Sequence, residues 1–298
     1  MIKAQFYVKA SLQKMSVKPT TVDCHVMVTT PGLTALELLA SEAGISKQKI
    51  KDAMNKGAVW LTRGKKTQRL RRVKFMPVPG DRLRICVDPQ LLALVAPTPT
   101  LLADNQGYSV WYKPPMLMSQ GSIWGDHCSL LRLVEQYFQQ KRRVFLVHRL
   151  DREASGLMLV AHHAQMAGQL SAMFQDHRIS KHYQVRVTGN FLAKTGQQTV
   201  KVDLPIDGKP ALSHLTLRQF DAERQESLLD VLIDTGRKHQ IRKHCASLAL
   251  PVVGDARYAR ADPRGLQLKA YRLAFVCPIK KQLVTYTLDH TVDDIDDC

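Results

Sequence analysis

His148-Arg149-Leu150-Asp151-Arg152-Glu153-Ala154-Ser155-Gly156-Leu157 runs straight into the apolar strand sequence Leu157-Met158-Leu159-Val160-Ala161. A charged decade delivered onto a buried strand places its side chains at the strand's entry. Asp151 stands between Arg149 and Arg152, and nearby positive charge favours a carboxylate. Two readings follow. Asp151 is a charged group kept for chemistry, or it belongs to a structural loop and simply pairs with one of its arginines. On these residues alone the structural reading is the better one, because short motifs recur by chance.

Outward from this segment, apolar strand patterns and amphipathic helix patterns alternate. YSVWYK reads as a strand, LLRLVEQYFQQK as a helix, GLMLVAH as a strand and AQMAGQLSAMFQDH as a helix. KHYQVRVTG and SLLDVLIDT follow as strands, GRKHQIRKHCASLA as a helix, and AYRLAFVCP and QLVTYTL as terminal strands. This predicts a mixed α/β fold. Pro97 and Pro99 disfavour a continuing helix after LLALVA, which places a linker over 91–100. The expected domains are therefore 1–90, with a smaller module within about 31–90, and 101–298. No internal repeat or low-complexity tract is evident.

Two further segments stand out. Lys181-His182-Tyr183 opens a strand; a strand tyrosine is usually packing, yet a ring facing a pocket can stack on a nucleobase. In DTGRKHQIRKHCA, residues 234–246, Thr235 is the expected cap of a helix whose buried stripe is Ile241, Cys245 and Leu248. Arg237, Lys238, His239, Arg242, Lys243 and His244 make it more basic than packing requires. A solvated basic helix explains that as well as a site does. His239 and His244 are five apart and lack the i, i+4 spacing of a helical metal pair, so no metal is expected.

The whole chain is basic, with 43 Lys+Arg against 26 Asp+Glu, a formal charge of +17 and a pI near 9.7. Such a field favours polyanionic partners. No stretch approaches the roughly 20 apolar residues of a membrane span, and MIKAQFYVKASLQKM lacks the apolar run of a secretory signal. A cytoplasmic, non-membrane protein is expected. The six cysteines, Cys24, Cys86, Cys128, Cys245, Cys277 and Cys298, show no paired or zinc-finger spacing and read as reduced, mostly buried thiols.

The positive charge concentrates in residues 41–90, which hold 13 Lys+Arg against 4 Asp+Glu, a net of +9. There LTALELLASEAG reads as a helix ended by Gly44, Ser46 caps a second helix closing at Gly57, AVWLT is a strand, and PGDRLRICVD is a turn and strand. Ser46-Lys47-Gln48-Lys49-Ile50, Gly57-Ala58-Val59 and Pro79-Gly80-Asp81 together resemble the S4 RNA-binding module, although that family usually has Arg where Lys47 stands and Asn-Gly where Thr62-Arg63-Gly64 runs. Lys47, Lys49, Lys51 and Lys56 are expected to share much of one helical face as a phosphate-binding surface.

Taken jointly, HRLD-x-x-x-SGL, K-x-Y and TGRKHQIRKH resemble the RluA-like pseudouridine synthases over about residues 101–290. Lys113-Pro114, Gly208-Lys209-Pro210-Ala211, Gly254-Asp255-Ala256-Arg257-Tyr258 and Leu268 through Pro278 extend the likeness. It implies a catalytic core with a mixed, largely antiparallel sheet, an RNA substrate, no cofactor and a monomer. It makes Asp151 the nucleophile, Arg242 its counter-charge and Tyr183 the uracil contact. Arg149, with His148, Lys181, Arg237, His239 and Gln240, is expected to engage the RNA, and Lys47, Lys49 and Lys51 to add contacts. Three positions depart from the family: Ala154 where Thr is usual, Met116 where Gly is, and Lys269 where His is. Large-subunit (23S) ribosomal RNA is the expected target, with transfer RNA, alone or in addition, as the alternative. A non-catalytic RNA-binding protein would explain the charge but not the joint presence of Asp151, Tyr183 and Arg242. A glycosidase would need a second carboxylate, for which this segment offers only Glu153.

Overall fold

The computed structural model describes residues 20–288. The N-terminal segment inspected for a signal and the terminal Cys298 lie outside them. The chain divides between Leu94 and Val95 into two compact units.

The first unit runs β1 (Val22–Met27), α1 (Ala35–Ala43), α2 (Lys47–Asn55), β2 (Val59–Arg63), β3 (Lys66–Arg69), β4 (Arg82–Val87) and α3 (Pro89–Leu92). Its sheet is antiparallel in the order β1-β4-β2-β3. Thr34 and Glu37 cap each other at the start of α1, and Gly44 ends it at a left-handed φ of 63°. Ser46 caps α2, whose buried side is Ile50, Ala53 and Met54. Asp81 in the Pro-Gly-Asp turn is buried and accepts a two-pronged bond of 2.7 Å per arm from Arg63, tying the turn to β2.

The expected lysine face does not form as predicted. At about 100° per residue, Lys47 and Lys51 fall on one flank of α2's buried stripe and Lys49 on the other. Lys47, Lys49 and Lys51 are exposed, with Lys47 lying 3.9 Å from Glu37. Lys56 follows the helix and pairs with Asp52 at 2.9 Å.

The second unit runs β5 (Thr100–Asp104), β6 (Tyr108–Lys113), α4 (Leu130–Tyr137), β7 (Phe145–Leu146), β8 (Ser155–Ala161), α5 (Ala164–Gln175), β9 (Ser180–Thr188), α6 (Phe191–Thr195), β10 (Thr199–Asp203), β11 (Leu212–Asp221), β12 (Glu226–Ile233), α7 (Gln240–Ser247), β13 (Leu268–Val276) and β14 (Leu283–Thr287). Its sheet follows β10-β11-β12-β9-β13-β8-β6-β5, with β14 on β13 and β7 on β8. Every pairing is antiparallel except β13 with β8, which meet in parallel only at Lys269–Ser155 and Ala270–Gly156. The sheet is therefore mixed and largely antiparallel, and its two antiparallel halves join at this short seam.

Strand β8 is apolar after its first residue, Ser155, because both of its faces are covered. Met158 and Val160 enter the larger core with Trp111, Tyr183, Val185 and Val231. Leu157, Leu159 and Ala161 enter the other, against Met166, Leu170 and Met173 of α5. Each of the Leu, Met and Val side chains contributes about 1.5–3 kcal/mol of burial, so the strand that follows the charged decade is firmly fixed. Four of the five described cysteines are buried, Cys24 is half-buried, and all five are free thiols. No helix among the described residues is long and apolar enough to cross a membrane.

The helix expected from Gly236 begins only at Gln240. His239 stands before it at a left-handed φ of 55°, and Thr235 is not the cap. Its hydroxyl instead donates to Gln240 Oε1 at 2.7 Å and accepts the Leu212 N–H at 3.1 Å. These bonds hold residues 235–239 as a turn where local helix propensity alone would continue the helix.

Candidate active site

The charged decade is fixed from beneath before any of its side chains reaches a pocket. Ser119 donates its hydroxyl to the Leu150 carbonyl at 2.7 Å and accepts the Leu150 N–H at 3.0 Å. Lys113, fully buried at the end of β6, gives its ammonium to the carbonyls of Pro114, Leu117 and Arg152 at 3.0, 2.7 and 3.2 Å. Burial pushes that ammonium down to about 7, against the pull of Glu153 and Asp151. Gly156 holds φ at +124°, and a Cβ there would overlap the Ala270 backbone of β13. Only glycine lets β8 approach the seam so closely. His148 accepts the Leu159 N–H at 2.9 Å and stacks on Phe174 at 4.3 Å. Burial lowers it to about 3, so the ring is neutral. Both its nitrogen and its face are thus engaged inside the fold, whereas the sequence reading assigned it to RNA.

Asp151 emerges from this support, four residues before β8, and meets α7. Arg242 Nη1 donates to its Oδ2 at 3.2 Å, and His239 Nε2 lies 3.8 Å from its Oδ1. The Arg242 side chain is only 5% exposed, and its other edge grips Asp255 through Nε and Nη2, both at 2.7 Å. Glu153 comes within 3.7 Å of the same guanidinium. Asp255 also accepts the backbone N–H groups of Arg257 and Tyr258. Burial opposes its ionisation, but Arg242 and these N–H groups outweigh burial and hold its carboxyl below the usual range. The hydrogen bonds to Asp255 likewise push Arg242 upward despite its burial, so it stays cationic. Tyr258 closes the network: its hydroxyl bonds His239 Nδ1 at 2.9 Å, and the Arg242 guanidinium lies over its ring at 5.4 Å. Burial lowers His239 more than Asp151 raises it, with Arg242, Arg257 and Lys238 adding to the lowering, which favours the neutral imidazole.

The three segments that the sequence set apart converge here. Asp151, Tyr183 and Arg242 line one pocket of about 130 Å³, together with Arg149, Arg237, His239 and Gln240. Tyr183 on β9 is 9% exposed, and its hydroxyl makes no hydrogen bond among the described residues. Burial raises its phenol, with Asp151 adding to the effect, so it remains protonated. Arg149 is exposed at the rim. Arg237 is half-buried, and its Nε is bound to the Pro210 carbonyl. Gln240 is 3% exposed and spends its amide on the fold: Oε1 accepts from Thr235 and Arg237, and Nε2 donates to Leu212 and Ser213. Lys181 is buried and reaches the Thr235 carbonyl at 3.4 Å. Lys47, Lys49 and Lys51 belong to the first unit and are not among these residues.

Sequence reasoning left Ser119, Lys113, Asp255 and Tyr258 without roles. Lys113 and Gly254-Asp255-Ala256-Arg257-Tyr258 were noticed as matching segments, and an acid beside a glycine turn was the available signal. Ser119 gave none. Chemically, the arrangement presents one carboxylate edge to a pocket, with the other edge held by a cation that is locked from behind. Such a group is equipped for attack or for stabilising a developing positive charge. No three His, Cys, Asp or Glu side chains among the described residues gather as a metal site requires.

A family model for RNA pseudouridylate synthase matches residues 107–247, the span holding Asp151, Tyr183 and Arg242. A dual-specificity RNA pseudouridine synthase, RluA, from Vibrio vulnificus is 32% identical over 190 residues, covering 56% of this chain and 73% of the relative. A ribosomal large subunit pseudouridine synthase D from Nitrosomonas europaea is 35% identical over 181 residues, covering 55% and 50%. The chain spans about half, or less, of the first curated relatives it matches, from 38% to 52% of their length. Among solved structures, human RNA pseudouridylate synthase domain containing 1 superposes with a TM-score of 0.53 over 67% of this chain and 94% of that one. At 21% identity this shows a shared fold.

Proposed function

This chain belongs to the RluA-like family of RNA pseudouridine synthases, and on that premise we propose that it isomerises uridine to pseudouridine in RNA with Asp151 as the nucleophile. Atoms balance without an external group. The bond from the sugar carbon to N1 of uracil breaks, the base turns, and a bond from the same carbon to C5 forms. C5 loses a proton and N1 gains one, so no cofactor is needed. Asp151 captures or stabilises the electron-poor sugar carbon while the base is detached. Arg242 holds the carboxylate in line, and the Tyr183 ring packs on the uracil. Arg149 at the rim helps to turn the target nucleotide out of its stack, a step costing a few kcal/mol that phosphate contacts offset.

The observation that carries this reading is the Asp151–Arg242–Asp255 chain of contacts beside Tyr183. A purely structural ion pair has no need of an open pocket at its acid. The first unit, in this proposal, is an S4-like RNA-binding domain followed by a linker, and its exposed Lys47, Lys49 and Lys51 touch phosphates. The target is a uridine of 23S ribosomal RNA, in keeping with the relative named for the large ribosomal subunit. The enzyme works as a cytoplasmic monomer.

The test is purified protein on ribosomal and transfer RNA, with carbodiimide mapping of pseudouridine. Asp151→Asn is expected to abolish product while keeping RNA affinity within about threefold. Normal turnover by that variant refutes the nucleophile assignment. Product in transfer RNA alone replaces the ribosomal target, and product in both RNAs makes the enzyme dual in specificity, the property for which the Vibrio relative is named. RNA binding with no product from the wild-type protein favours the non-catalytic reading.

A further inference from the structure

A second groove of about 410 Å³ opens beside the Asp151 pocket and shares Arg149, Tyr183, Ile233, Gly236 and Arg237 with it. We propose that this groove holds a backbone phosphate of the RNA, the phosphodiester next to the nucleotide in the pocket, with Lys181 as its buried cation and Arg149 and Arg237 at its rim. The proposal rests on the reading of the chain as an RNA-modifying enzyme and deepens it.

The argument starts from two buried lysines that the fold treats differently. Lys113 satisfies its three donors on three carbonyls and needs no ligand. Lys181 is also buried, at 7% exposure, yet makes one hydrogen bond among the described residues, a long one of 3.4 Å to Thr235. A buried ammonium without partners is costly, and this one lines an open groove. Burial lowers it to about 8, with Asp234 opposing, so it carries charge at neutral pH.

The rest of the lining fits an anion. Besides Lys181 it offers Arg149, Arg237, His148 and His177, and it contains no carboxylate. Asp234 acts on Lys181 from outside the groove and is itself 3.3 Å from His214. His148 is neutral and engaged, which leaves Lys181 and the two arginines as the dependable charges. RNA carries one phosphate per nucleotide. A strand with one base in the Asp151 pocket therefore brings a phosphate within reach of the neighbouring groove.

The test uses the full chain with isotopically labelled lysine side chains and two probes, the dinucleotide UpU and its neutral methylphosphonate analogue. UpU is expected to shift the Lys181 signal, identified through Lys181→Arg, and the analogue to leave it in place. No shift with UpU, or equal shifts with both, overturns the proposal. In addition, Lys181→Met is expected to weaken binding of a nine-residue oligouridylate about ten-fold at low salt. It should also flatten the dependence of log affinity on log salt by about 0.7. Unchanged affinity and slope overturn the proposal as well. None of these readouts requires turnover, so failed catalysis by the wild-type protein would sink the enzymatic reading separately.

Discussion

Asp255→Asn separates the group that holds Arg242 from the group that Arg242 serves. Asparagine fits the same space but removes the charge and one acceptor. If its oxygen stays where Oδ1 is, the bonds from Arg242 Nη2, Arg257 and Tyr258 survive, and an amide N–H is turned toward Arg242 Nε, now 2.7 Å from Oδ2. A charge-assisted bond of this kind is worth about 1.5–3 kcal/mol, and breaking a buried pair from one side costs about 3–5 kcal/mol. About 3 kcal/mol is therefore expected, because part of the network remains. For a unit of this size that lowers the midpoint of thermal unfolding by about 10 °C. Arg242 then loses its anchor, and a displacement of about 1 Å at the reacting group costs about 100-fold in rate. Asp255 does not line the pocket, so RNA affinity should change by less than about threefold. Turnover within about threefold of wild type in the folded variant would refute the idea that Arg242 is positioned from behind. The stability difference also has a pH signature. The folded Asp255 carboxyl lies below its ordinary value, so its contribution is present above about pH 4 and fades as pH falls through the lowered value. Wild type and variant should converge in acid.

Ser119→Ala leaves the buried Leu150 N–H and carbonyl without their shared partner; a loss of about 2 kcal/mol and a fall in kcat exceeding any change in KM are expected, and an unchanged kcat in steady-state assays argues against a role in positioning Asp151. Gly156→Ala forces a side chain into the Ala270 backbone at a φ of +124°; a cost of at least about 3 kcal/mol should appear as a drop of about 10 °C in calorimetry, and a midpoint within 2–3 °C of wild type (about 1 kcal/mol) contradicts it. Lys113 sits at about 7 when folded against roughly 10.4 when unfolded. The unfolded chain therefore holds more protons between those values, and stability rises with pH by up to about 1.4 kcal/mol per unit. Urea titrations from pH 7 to 9.5 should show that slope in wild type and not in Lys113→Met, and parallel slopes in the two proteins refute it.

The strands legible in the sequence are those buried on both faces or strongly apolar. Tyr108–Lys113 and Ser155–Ala161 are runs of side chains that water would reject. Thr199–Asp203 and Leu212–Asp221 went unread because half of each faces solvent and carries Lys201, His214 and Arg218, so their apolar signal is diluted. The premature start read for α7 has a different cause. Gly236 is the one weak local signal against a helix over 236–239, and what fixes the turn is Gln240 bonding Leu212 and Ser213 from 28 and 27 residues away. Periodicity contains no information on such a bond. The same gap explains His148 and Gln240, which as polar residues in basic segments suit RNA and the fold interior equally. Burial decides between those uses, and burial is a property of the folded chain.

The departures from the family pattern fall where the fold can absorb them. Ala154 is 2% exposed within the apolar core that includes Leu150 and Tyr183, where a threonine hydroxyl would need a partner. Met116 holds φ at 64°, a left-handed conformation that costs a non-glycine residue about 1 kcal/mol or more. Its carbonyl accepts from Arg152 Nε at 3.4 Å, a contact between this turn and the loop that carries Asp151. Lys269 takes its place at the seam opposite Ser155. Neither Ala154 nor Met116 supplies a side-chain bond to Asp151 or Arg242 among the described residues. Arg242 supplies the bond to Asp151 and is itself gripped by Asp255, and the loop's own position comes from Ser119, Lys113 and Gly156. The constraint on Asp151 is thus carried mainly by residues behind the pocket, and substitutions there are expected to reduce rate more than substitutions at the rim, where Arg149 and Arg237 meet solvent.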